Sequence, residues 1–153
     1  MQRNDPDCGP MTDINPPGHA AASAVTPVTA AVPLRISHDD LPGPADAHRF
    51  IGTHHGGLPI SLFLVDDPPG AGPLLHRHPY AEVFVVHAGQ ARFEIDDVRL
   101  TATAGDILIA PAMSDHRFTN TGESRLRVTA IHTAPDIHTE WLQAMTAPKG
   151  TPC

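Results

Sequence analysis

The chain has 153 residues, room for one domain, and 41% of them are apolar, so a hydrophobic core is within reach. Its formal charge of -7, with no basic block anywhere, argues against a nucleic-acid partner and against an anionic membrane surface. No apolar run reaches membrane-spanning length, and the two cysteines, Cys8 and Cys153, sit outside any ligand spacing; they read as free thiols in a reducing, cytoplasmic setting.

Taken in order, residues 1–32 are rich in Pro, Ala, Thr and Gly and poor in large side chains. They cannot bury enough surface to offset the entropy of ordering, and a flexible tail is expected. Pro27 interrupts the apolar stretch that comes nearest to a signal peptide, so none is expected. A single folded domain is expected over 33–146, with 147–153 frayed. Leu34–Ile36 opens it as a short strand, followed by a turn-rich stretch and a strand at His48–Ile51. Gly52–Pro59, which holds His54 and His55, reads as a solvated loop, with lining of a site mouth as the alternative. Ile60–Val65 and Val83–Val86 are strands apolar on both faces, which in an antiparallel fold means that both faces are covered. In so short a chain the expected cover is a second copy, hence a homodimer.

Between those strands lies the stretch Gly70–Gly89. His76 and His78 are two apart, which on a strand turns them to the same face. Pro79 breaks the strand, and Glu82 opens the next apolar run. A carboxylate at the mouth of a buried strand is costly unless it is paired or bound to a cation. Two histidines and a glutamate on one face meet that need as metal ligands. Arg77 and His87 have the opposite parity and point away; Tyr80 is expected to pack outside.

Gln90–Asp96 alternates, with Phe93 and Ile95 inward, and a hairpin at Asp96–Asp97 leads into Val98–Ala102. Asp106–Ala110 is a strand, Pro111–Ser114 a turn, and Asp115–Asn120 an alternating strand with His116 and Phe118 on one face. His116 is thereby offered as a fourth ligand. Ser124–Thr133 is the last long strand, and Leu126, Val128, Ala130 and His132 share its inward face. His132 is either a core histidine held by one hydrogen bond or a catalytic proton-transfer or substrate-binding residue. Ile137, Trp141, Leu142 and Met145 have helical spacing, which predicts a short C-terminal helix packing Trp141 on the barrel. Many short strands with regular turns make an all-β barrel or sandwich.

The two histidine-bearing stretches resemble the two motifs of the cupin superfamily. In the first, Gly70, His76, His78, Glu82 and Gly89 fill every fixed position. In the second, Gly105, Pro111, His116 and Asn120 match, while Met113 stands where the pattern has Gly. That departure predicts a turn that does not need positive φ there. The resemblance covers roughly residues 34–134 and implies a double-stranded β-helix, or jelly-roll, with His76, His78, Glu82 and His116 holding one divalent transition metal: Fe, Mn, Ni, Zn, Co or Cu. It implies little about substrate, because the fold hosts many activities. Three imidazoles and a carboxylate leave an M²⁺ site with a net charge of about +1, suited to a small polar or anionic ligand. The functions in view are a metal-dependent oxygenase; a non-redox isomerase, cyclase or lyase using the metal as Lewis acid; and a module that only binds a small ligand or metal.

Overall fold

The alternating segments close into two five-stranded sheets, described for residues 33–143 by a computed structural model. The strands are β1 (Ala47–Phe50), β2 (Ser61–Asp67), β3 (His76–Arg77), β4 (Glu82–Ala88), β5 (Gln90–Ile95), β6 (Val98–Thr103), β7 (Ile107–Ala110), β8 (His116–Asn120), β9 (Leu126–His132) and β10 (Glu140–Trp141). One sheet runs β1-β2-β9-β4-β7 and the other β10-β3-β8-β5-β6, and every pairing is antiparallel. Short 3-10 turns at His38–Asp40 and Gly52–His54 are the helical segments among the described residues. The result is a jelly-roll sandwich whose inner faces meet over one core. The expected tail at 1–32, Met145 and the end at 147–153 lie outside the described residues.

Strand parity explains the core. β4 buries Phe84 and Val86, β5 buries Ala91, Phe93 and Ile95, and β9 buries Leu126, Val128 and Ala130. Phe93 faces Phe118 across the β5–β8 ladder with ring centroids 5.2 Å apart, and Phe84 lies 5.1 Å from Phe93. Fully burying each such ring is worth roughly 1.5–3 kcal/mol, so this aromatic trio anchors one end of the interior. Asn120 closes the same end. Its Nδ2 donates to the carbonyls of Asp67 and Ser124, and its Oδ1 accepts from the Gly122 N–H.

The outer face of the β1-containing sheet is apolar toward its β7 edge, while His87, Arg127 and Thr129 make it polar further along. Leu62, Leu64, Val83, Val85 and Ile131 are half-buried there, and Ile107 and Ile109 on β7 are 65% and 61% exposed.

Three expectations are corrected. Leu34–Ile36 forms no strand, and Leu34 is exposed; these residues join no ladder, and a strand exists only by pairing. Residues 137–143 form no helix. Instead Glu140 and Trp141 pair with Arg77 and His76, and the Leu142 N–H donates to the Leu75 carbonyl. An open sheet edge with unpaired backbone groups outweighed a helical spacing only a few residues long. Met113 has φ 65, so the turn does need the left-handed conformation that glycine would adopt freely. Its N–H donates to the His78 carbonyl, a bond that holds the turn against the histidine-bearing strand.

Candidate metal centre

Backbone register brings the site together. His76 on β3 is the ladder partner of His116 on β8, and their ring centroids lie 4.4 Å apart. His78 follows β3 directly, its ring 4.9 Å from that of His76. Glu82 opens β4 on the opposite sheet, between Ala110 of β7 and His132 of β9. One ligand atom from each of His76, His78, Glu82 and His116 lies within 4.8 Å of all the others, and all four residues are buried.

The orientation of the rings is set by backbone carbonyls. Nδ1 of His76 donates to Leu74 O at 2.7 Å, Nδ1 of His78 to His138 O at 2.6 Å, and Nδ1 of His116 to Ser114 O at 2.9 Å. A carbonyl can only accept, so each Nδ1 carries the proton, and a neutral ring then presents a bare Nε2 lone pair. Those lone pairs face a carboxylate. Nε2 of His116 lies 2.8 Å and Nε2 of His78 3.2 Å from Glu82 Oε2. Acceptors gathered around an acceptor repel unless a proton or a cation sits among them.

The titration properties express the same conflict. Burial pushes His76 down to about 4 and His132 likewise to about 4, favouring neutral rings. Burial alone would raise Glu82, but His116, His78 and His132 gathered around it, with the His116 bond foremost, outweigh burial and hold the carboxyl at about 2. For His116 burial works downward, yet the bond to Glu82 and the Ser114 carbonyl prevail and raise it. Among the described residues, His78 Nε2 and both ring nitrogens of His132 have no hydrogen-bond partner, although all three are fully buried. Three pre-oriented ring nitrogens, one ionised carboxylate and the orphaned Nε2 of His78 fit a divalent transition metal, which would take the place of the His116 proton.

His132 lies beside this group. Its Nε2 is 3.2 Å from Glu82 Oε1, it lines the cavity, and it lacks the single hydrogen bond expected of a core histidine. His54 and His55 stay apart from the cavity; His55 stacks on Phe50. Tyr80 stacks on the ring of His78, centroids 5.3 Å apart, and its hydroxyl accepts the His138 N–H, so it buttresses a histidine rather than lining the cavity. Arg77 and His87 point outward as parity requires, the first to Glu140 and Asp115, the second to Thr129.

The cavity that His76, His78 and Glu82 line has a volume of about 250 Å³. Phe63, Val65, Phe84, Phe118 and Ala130 wall it, Trp141 borders it, and Asp46 and Asp67 also reach it. Sequence reasoning missed the last three and the His138 carbonyl. For Asp67 a signal existed, since it shares the parity of Phe63 and Val65 on β2. For the His138 carbonyl there was none, because every residue has one.

The Cupin domain family model matches residues 63–132. Protein SchB of Streptomyces halstedii is 40% identical over 68 residues, 44% of this chain and 49% of that protein, so the match spans about half the curated relative. Among solved structures, an oxalate decarboxylase of Bacillus subtilis superposes with a TM-score of 0.59 and 22% identity, over 67% of this chain and 29% of that one. Mn(II) centres are described for that decarboxylase. The formate complex of an oxalate decarboxylase from Lactobacillus farciminis gives 0.59 and 22%, over 68% and 34%. At these identities the likeness is one of fold.

Proposed function

Because residues 63–132 are a cupin domain with three inward histidines and a glutamate, we propose that the chain is a metal-dependent enzyme acting on a small polar or anionic ligand. His76, His78, Glu82 and His116 hold one divalent transition ion, drawn from Fe, Mn, Ni, Zn, Co or Cu. One observation carries this: three Nδ1–H···O=C bonds fix the rings of His76, His78 and His116 so that one ligand atom of each lies within 4.8 Å of the others and of a Glu82 oxygen. Such an ion supplies either activation of O₂ or Lewis-acid polarisation of a ligand oxygen. The chain does the rest. Leu74, Ser114 and His138 carbonyls fix the rings, Phe63, Phe84 and Phe118 exclude water, and the cavity orients the ligand.

The favoured reaction is oxygenation: an ion held by His76, His78, Glu82 and His116 would still have room for a small ligand and could activate O₂ beside it. Metal analysis of protein purified without added metal, followed by oxygen uptake with candidate ligands, tests it; turnover that continues unchanged without O₂ rejects it. The second reading, a non-redox isomerase, cyclase or lyase, draws support from His132. Its bare, buried nitrogens beside Glu82 can take up a proton from a ligand carbon and return it. A protein that holds metal but turns nothing over would be the binding module.

We also infer that a second copy of this chain covers the outer face carrying Ile107 and Ile109, giving a homodimer. An exposed apolar patch of this kind can meet its own copy across a two-fold axis. Sparse cysteines favour a cytoplasmic setting. Among the described residues no helix is long and apolar enough to cross a membrane.

A further inference from the structure

One buried group has no part in the proposed metal chemistry. Asp67 ends β2 on the face shared with Phe63 and Val65, and it is 8% exposed. Its backbone is fully engaged: it pairs with Leu126, and its carbonyl accepts from Asn120. Its carboxyl receives no hydrogen bond or ion pair from the described residues. The nearby cation, Arg125, is turned to Asp66, bonding both its carboxylate and its carbonyl. The charges of Asp46 and Asp66 oppose ionisation of Asp67. Burial first, then Asp46, pushes this carboxyl up to about 6. A buried carboxyl without a hydrogen-bond partner is costly, and the charge of Arg125 offsets only part of that cost.

Its place in the cavity gives it a use. Phe63 packs edge-on against His132, ring centroids 5.3 Å apart, so that part of β2 borders the metal end. Asp67 lies four residues further along, roughly 13 Å at about 3.3 Å per residue. The same cavity is lined by His76, His78 and Glu82, by Asp46 and Asp67, and by the apolar Phe63, Val65, Phe84 and Phe118; the β2–β9 register pairs Ser61 with His132 and Asp67 with Leu126, so Asp67 sits at the end of β2 away from the histidines.

Resting on the metal reading above, we propose that the cavity is read from both ends. It takes a small polar ligand with metal-binding oxygens at one terminus, an apolar middle, and a hydrogen-bond donor, hydroxyl or ammonium, at the other, which the Asp67 carboxyl receives. Asp67 is the specificity residue for that donor.

The test uses full-length, zinc-loaded protein and redox-inert chelating probes in calorimetry. Benzohydroxamate reports the metal end alone. 4-(Aminomethyl)benzohydroxamate and 4-ethylbenzohydroxamate have arms of equal size, one with a donor and one without. The donor arm is expected to bind about tenfold or more tighter, the usual scale for a charge-assisted bond. Asp67→Asn, which keeps the backbone bond from Asn120, should bring the two within about twofold of each other and leave the ethyl probe unchanged. Equal binding of both probes to the wild type overturns the proposal whether or not the variant folds, and so does a preference that survives Asp67→Asn. Benzylamine, which has no chelating group, separates this reading from the metal reading. Amide shifts at Val65 and Leu126 that depend on Asp67, in protein that takes up no zinc, would reject the metal site and keep the Asp67 site. Zinc uptake and benzohydroxamate binding without arm preference would do the opposite.

Discussion

At the scale of the residue, the site is a problem of unsatisfied acceptors. His116 and His132 both approach Glu82, at 2.8 Å and 3.2 Å, but only His116 has its Nδ1 fixed by a carbonyl. That difference predicts different variants. His116→Ala should lose at least about 100-fold in metal affinity, beyond the 10–100-fold typical of a supporting residue. His132→Gln should retain metal at wild-type stoichiometry, as read by elemental analysis. Asp67 makes a prediction about pH. Its folded pKa of about 6 lies above the unfolded value near 3.8, so the folded state keeps the proton longer. The stability it allows is complete below pH ~4 and is lost as pH rises through ~6, a penalty on the order of 1–3 kcal/mol. Asp67→Asn should therefore melt higher than the wild type at pH ~7.5 and equally at pH ~4, by urea denaturation at the two pH values.

At the scale of the element, two turns hold the histidine strands in place. Met113, at φ 65, ties the β7–β8 turn to His78 through its N–H. A left-handed non-glycine residue costs roughly 1–2 kcal/mol, against about 0.5–1 kcal/mol of added chain entropy for glycine. Met113→Gly should leave the protein about 0.5–1 kcal/mol more stable, measured by chemical denaturation, with metal content unchanged. Gly72 is the opposite case. A Cβ there would lie 2.0 Å from the Phe118 carbonyl oxygen, with φ 157, where the loop before β3 crosses β8. Gly72→Ala should cost about 2 kcal/mol or more and displace β3, so that metal affinity falls with stability.

At the scale of the whole molecule, the inner faces meet over the core and the metal site while one outer face stays apolar toward β7. If a second copy covers that face, replacing Ile107 and Ile109 with lysine should convert a dimer into a monomer in size exclusion with light scattering. A wild type that is already monomeric at micromolar concentration would reject the dimer. The proposed metal joins the two sheets, His76, His78 and His116 from one and Glu82 from the other. Metal at about 100 times its Kd should then raise stability by about 2.7 kcal/mol, visible as a chelator-sensitive thermal shift.

Period-two alternation was legible wherever one face is buried, because burial imposes parity on every side chain of a strand. Hence Phe93 and Ile95, Leu126 through His132, and the outward turn of Arg77 and His87 could be read directly. So could the grouping of His76, His78, Glu82 and His116, whose spacing follows from the same parity together with the motif resemblance. The C-terminal segment could not be read, since its helical spacing competes with a sheet edge that exists only once β3 is in place. Met113 was misjudged because side-chain identity does not reveal a backbone forced left-handed by a bond to His78. Asp67 shares the inward parity of Phe63 and Val65, but only the folded cavity makes it a buried carboxyl among the cavity's lining. Local periodicity determined which side chains point inward. Tertiary structure decided what they meet there, because pairings between strands distant in sequence leave no local trace.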